Sequence, residues 1–186
     1  MSSVTDAVKN TLTSAISGAG DVLTTAQSVA KENVVKAVQG AGMVAESGIQ
    51  AIDEVVGSGL EAISGTGASI TDGVVGLVRG AVEGAKEVGV STTEAGGEAA
   101  STAVKTAYKV GADIGVVAVS SVQGVVEAAG DIGSDSAELA KSAVLGSIRA
   151  ADEISSETGT LVRKALLNAV ALPHDIIDAL ISGKRE

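Results

Sequence analysis

The stretch Ser58–Gly76, SGLEAISGTGASITDGVVG, carries glycine at 59, 65, 67, 73 and 76. Local propensity makes it a loop, because each interior glycine disfavours helix by about 1 kcal/mol relative to alanine. Its other residues point elsewhere. Leu60, Ile63, Ile70 and Val74 stand at helical spacing, and Glu61 and Asp72 lie eleven residues apart. Glu83, Glu94 and Lys105 continue that column downstream, then Glu127, Glu138 and Arg149 after the apolar Val116. Gln39 and Gln50 hold it upstream.

Beside this polar column runs an apolar one: Val38, Ile49, Leu60, Val82, Val104, Val126 and Ile148. Sorted by position modulo eleven, the chain has six apolar and five polar columns. Of the 36 charged residues, 35 fall in the polar columns, the exception being Lys184; random placement would put fewer than half there. The register runs from about Val4 to Ile181 without a slip. Eleven residues in three turns is about 3.67 per turn, close to the α-helix and not to the alternation of a strand. The apolar columns then form one arc of roughly 165°.

The fold class is therefore all-α, a single repetitive helical domain over residues 1–186 with a leucine-rich C-terminal segment at 161–183. Two arrangements keep the phase. One is a very long helix, about 270 Å at 1.5 Å per residue, surface-bound or in a right-handed coiled coil. The other is a few long helices folded back as hairpins. Weak points for reversal are 92–97, Gly130–Asp135, where Asp135 and Glu138 are spaced as a capping box, and Ser155–Gly159. For Ser58–Gly76 itself the register predicts helix throughout, formed only when its face is covered. Glycine is divided between the two arcs close to chance, which predicts no dedicated glycine seam.

Composition narrows the function. The 186 residues include no Phe, Trp or Cys and one Tyr, Tyr108, so any core is built from Ala, Val, Ile and Leu. A net charge of −10 argues against nucleic acid, which needs clustered Lys and Arg. The first twenty residues, with Asp6 and Lys9, predict no secretory leader. The longest uncharged run, Ile114–Val126, is shorter than the about twenty residues of a membrane span. The expected location is cytoplasmic, or peripheral on a membrane or inclusion surface.

No enzyme signal emerges. His174, the only histidine, reads as a helix-start residue beside Pro173. Serines and threonines lack a neighbouring base. Asp131, Asp135 and Glu138 share a helix face and read as a solvated acidic surface rather than a cation site. Gly65-Thr66-Gly67 lacks the lysine of a phosphate loop. No cofactor, metal or small-molecule substrate is expected. The residues expected to carry function form the apolar face: Val38, Ile49, Ile52, Val56, Leu60, Ile63, Val74, Leu77, Val78, Val82, Val104, Val122, Val126, Ile148, Leu166 and Ile177.

Stretches such as GVVGLVRGAVEGAKEVGV (73–90) and VSSVQGVVEAAG (119–130) resemble the eleven-residue amphipathic repeats of synucleins and perilipin-type lipid-droplet coat proteins. The resemblance implies a non-enzymatic coat that lays one face on a lipid surface. The chain departs from synucleins in charge. One edge of its arc is basic, through Lys9, Lys31, Lys86, Lys141 and Arg163, and the rest of the polar arc is acidic. That favours neutral lipid or a polymer inclusion over an anionic membrane. The alternative partner is a second copy: hendecads drive right-handed supercoils, and a wide arc suits several neighbours, giving a bundle, tube or filament.

Overall fold

The computed structural model describes residues 2–17, 21–42, 45–170, 172 and 177. They form eight helices: α1 Ser2–Ser17, α2 Val22–Gly40, α3 Ala45–Thr66, α4 Ile70–Glu87, α5 Thr92–Val110, α6 Ile114–Ile132, α7 Ser136–Ile154 and α8 Ser156–Asn168. Among the described residues there is no strand. The single long rod and the coiled coil are thus overturned, and the hairpin form of the all-α reading stands.

What stops α3, α4, α5 and α6 is one device repeated along the chain. Gly67, Gly89, Gly111 and Gly133 all adopt positive φ, at 73°, 75°, 73° and 67°, which a glycine adopts without steric cost. After three of these glycines, the residue that follows donates five residues back. Val90 N–H bonds Ala85 O at 2.9 Å, Ala112 N–H bonds Ala107 O at 2.9 Å, and Ser134 N–H bonds Ala129 O at 3.0 Å. This is the Schellman closure. The next residue caps the following helix. Ser69, Ser91, Asp113 and Asp135 each accept from a backbone N–H two or three residues on, at 2.9–3.3 Å. A stop and a start in three residues cost nothing in phase where the helix-plus-loop unit is 22 residues, two hendecads.

The expected breaks can now be placed. Gly130–Asp135 contains the α6–α7 turn, and Asp135 caps α7 as expected. Ser155 caps α8 through its Oγ, accepting from Thr158 N–H at 3.0 Å. Residues 92–97, however, lie inside α5, and the chain reverses just before them. The reason is that Gly89-Val90-Ser91 supplies both signals, whereas Gly96-Gly97 has no cap after it. Ser58–Gly76 is likewise not continuous helix: α3 ends at Thr66 and α4 begins at Ile70. Glycines 59, 65, 73 and 76 are nevertheless helical, so four of the five obey the register and Gly67 obeys local propensity.

Connections of one to four residues make sequential helices antiparallel neighbours. Each helix also packs on the helix two along: α1, α3, α5 and α7 form one layer, and α2, α4, α6 and α8 the other. The result is a two-layer solenoid of αα-hairpins. An inner helix thus meets four others, which is what so wide an apolar arc requires. The core lies between the layers, from Val8 and Leu12 through Leu60, Leu77 and Val104 to Val162, Leu166, Leu172 and Ile177. Small residues fill it: α4 buries Val74, Val75, Leu77, Val78, Ala81, Val82 and Ala85 together with four glycines.

Candidate functional site

Of the sixteen residues assigned to the apolar face, fourteen are buried in this fold: Val38, Ile52, Val56, Leu60, Ile63, Val74, Leu77, Val78, Val82, Val104, Val122, Ile148, Leu166 and Ile177. Ile49 and Val126 are half-buried against the core. The face is real as a surface of each helix, and the closed solenoid turns it inward. Among the described residues, the large apolar side chains left exposed are Tyr108, Val116, Leu145, Leu161, Leu167 and Val170, all from 108 onward.

Glycine seams hold the layers together, contrary to the even distribution read from the sequence. Gly76, Gly80 and Gly84, four apart on α4, face the backbone carbonyls of Leu23, Gln27 and Lys31 on α2. A Cβ on Gly84 would lie 3.0 Å from Lys31 O, and one on Gly76 or Gly80 would overlap its carbonyl outright. On α6, a Cβ at Gly124 would lie 2.7 Å from Val75 O of α4. In the other layer Gly146 of α7 meets Gly97 of α5, backbone on backbone. The spacing of four at 76, 80 and 84 was the available signal.

Polar groups bridge the same neighbours across each layer. Arg79 on α4 donates through Nε to Asp131 Oδ2 of α6 at 2.7 Å and through Nη1 to Glu127 Oε2 at 3.3 Å. Glu83, one turn on, lies 3.4 Å from Arg79 Nε and accepts from Gln27 Nε2 of α2 at 2.8 Å. One cluster thus spans three helices. Burial pushes the Glu83 carboxyl up from its ordinary pKa. Hydrogen bonding to Asp131 and that residue's charge push it further, against Gln27 and Arg79. For Arg79 burial acts downward, and the bond to Asp131 and the three carboxylates outweigh it, so its pKa rises. Simpler pairs join Lys9 to Glu61 at 2.7 Å, Lys31 to Glu87 at 3.3 Å and Lys105 to Glu153 at 3.0 Å. Thr102 Oγ1 donates to Asp53 at 2.7 Å across α3 and α5. Exposed pairs of this kind add little stability; they fix which residues stand opposite one another.

Asp131, Asp135 and Glu138 do different jobs. Asp131 takes Arg79, Asp135 caps α7, and Glu138 approaches Thr93 Oγ1 at 3.4 Å. Among the described residues no three His, Asp or Glu side chains gather as a metal site would require. Gly65-Thr66-Gly67 ends α3, with Thr66 Oγ1 donating to Ile63 O at 2.8 Å. His174 lies outside the described residues. A groove of about 390 Å³ over the α5–α7 seam is lined by Ile49, Glu94, Glu98, Leu145 and Arg149 among others; of its serines, Ser142 is engaged, its Oγ donating to Thr93 O at 2.7 Å. Helix α6 is long and apolar enough to cross a membrane by length and composition, and 56% of its most apolar window is buried inside the protein.

No family model matches the chain, and no curated protein does either. Among solved structures the fold is similar to the crystal structure of a de novo designed helical repeat protein, DHR7. The two share 19% identity over 97% of this chain and 96% of that one, with a TM-score of 0.55. At that identity the likeness speaks for the helical-repeat fold alone.

Proposed function

We propose that this protein is a non-enzymatic coat, a solenoid that opens and lays its apolar face on an uncharged hydrophobic surface. One observation carries the reading. Helix starts step along the chain by 20, 23, 25, 22, 22, 22 and 20 residues, yet the eleven-residue columns never slip. A closed solenoid needs each helix to be amphipathic by itself and sets no phase between helices whose boundaries drift. A phase kept through uneven loops matters when helices join end to end and present one unbroken face. Opening also exchanges one burial for another: the residues that leave the core meet the new surface, so the hydrophobic contribution of about 25 cal/mol per Å² is largely retained. The acidic polar arc favours neutral lipid or a polymer inclusion over an anionic membrane.

The alternative is a closed solenoid that associates with its own copies, for which no phase across loops is needed. Loop insertions separate the two. Two residues added beside Ala112 turn the downstream half of a joined helix by roughly 200°. The same insertion lengthens a folded loop at a cost of about 0.6 kcal/mol per doubling. Eleven residues restore the phase. Expected is near-normal thermal unfolding for both variants, with binding to a neutral-lipid emulsion lost in the first and kept in the second. Equal binding by the two insertions would remove the continuous face from consideration.

A further inference from the structure

The seams of the solenoid are unequal, and the weakest covers its most apolar helix. Helix α8 packs on α6 and α7, yet of its thirteen residues it buries only Gly159, Val162 and Leu166. The α4 helix buries eleven residues. Among the described residues no side-chain hydrogen bond or ion pair joins α8 to α6; the polar tether of α8 runs to α7, where Arg163 Nη1 and Nη2 bond the two oxygens of Asp152 at 2.7 and 2.6 Å. Beneath α8 lies α6, whose Gly115 is placed so that a Cβ would sit 3.1 Å from Ala165 Cβ and from Leu161 Cδ2. At that contact apolar surface already reaches solvent: Leu161 is 48% and Val116 43% exposed. The charged side chains of α6 are Glu127 and Asp131, both at its far end and engaged by Arg79.

We infer that α8 is a lid over α6, and that the uncovered α6 face is the part of the chain that first meets a neutral lipid surface. The destination of that face rests on the coat reading; the lid does not. Release of α8 breaks one exposed ion pair and uncovers Val162 and Leu166, the two apolar side chains that the helix itself buries. It frees the N-terminal end of α6 at Gly115 and Val116, where α8 meets it, as an apolar strip, with the helix's own charges, Glu127 and Asp131, at its other end. An uncharged occupant follows, since a strip without cations gives an anionic headgroup nothing to bind, and apolar burial is the remaining attraction.

Two measurements on the full chain test the inference separately. Native-state hydrogen exchange reads the lid without lipid: α8 amides are expected to exchange at least 100-fold faster than those of α4, with the α6 amides near Gly115 following α8. Equal protection of α8 and α4 would overturn the lid. The chain has no cysteine, so the pair Gly115→Cys and Ala165→Cys can staple α8 to α6 in one defined place, with each single variant as control. Oxidised, the stapled protein is expected to bind a neutral triglyceride emulsion at least ten-fold more weakly than after reduction. Equal binding in both states would overturn the lid as the gate while leaving the coat intact. Absence of binding by the natural chain would overturn the coat and the lipid destination of the strip, and the exchange pattern would still decide the lid.

Discussion

The α2–α4 and α6–α8 seams are the same kind of contact in the same layer, built from the same eleven-residue pattern, and they are held by different means. Three glycines of α4 bring its backbone against the carbonyls of α2, and Gln27–Glu83 and Lys31–Glu87 cross the seam. Between α6 and α8 one glycine, Gly115, meets side-chain ends at 3.1 Å. Leucine and valine along that edge stay in solvent. Hydrophobic periodicity sets which face of a helix is buried. How tightly the face closes depends on where side chains are missing, since dispersion falls steeply with even a small gap.

The largest expected effect breaks the tight seam. In Gly80→Ala the new methyl enters the space of Gln27 O and lies 3.0 Å from Ala30 Cβ. Backbone cannot move aside as a side chain does, so overpacking stands at the upper end of its usual range, about 3 kcal/mol, against a helix propensity gain of about 1 kcal/mol. A net loss of roughly 2 kcal/mol lowers the unfolding midpoint by about 4–8 °C. Gly115→Ala meets the flexible end of Leu161, which can give, and the Ala165 Cβ at 3.1 Å on the lightly buried α8, and calorimetry should find it within about 0.5 kcal/mol of the parent. Equal losses at the two sites would mean that the seams do not differ.

The same contrast explains what could be read from the sequence. Columns of Val38, Leu60, Val82 and Val104 placed the buried face correctly because burial follows helical period alone. The turns were legible too, in the triplets Gly67-Ala68-Ser69, Gly89-Val90-Ser91, Gly111-Ala112-Asp113 and Gly133-Ser134-Asp135, each a helix stop followed by a cap. They hid because these four turns recur every 22 residues, two hendecads, and so leave the columns unbroken where they fall. The seam at Gly76, Gly80 and Gly84 hid behind an even count of glycines on the two arcs; spacing, and not the count, carries the packing. The Arg79 cluster was not legible at all. Its partners lie about fifty residues away and become neighbours only when α6 stands beside α4.

A smaller effect sharpens the comparison from the polar side of the tight seam. Glu83 is 12% exposed, and burial together with Asp131 raises its pKa in the folded state. A carboxyl raised above its unfolded value binds its proton more tightly when folded, so ionised Glu83 costs stability at pH 7. That cost shrinks as pH falls through the folded pKa and is gone below the unfolded one, near 4. Glu83→Gln keeps an acceptor for Gln27 and removes the charge. Chemical denaturation should show a gain at pH 7 that vanishes by about pH 4. A loss at pH 7 would mean that attraction to Arg79 outweighs burial.

The smallest effect belongs to the loose seam. Arg163 holds Asp152 below the usual carboxylate range, chiefly by hydrogen bonding. The sign is opposite to that of Glu83. A depressed carboxyl contributes stability above its unfolded pKa and loses it as pH falls through the folded one. Both partners are more than one-third exposed, at 34% and 44%, so solvent and salt screening hold the contribution to about 0.5 kcal/mol or less. Arg163→Gln should therefore leave global unfolding almost unchanged, with the difference gone in 1 M salt. Because this pair is the polar tether of α8, local exchange in that helix should respond where the unfolding midpoint does not, rising about two-fold. A change in the midpoint as large as that of Gly80→Ala would show that α8 unfolds only with the whole solenoid, and that the two seams belong to one cooperative unit.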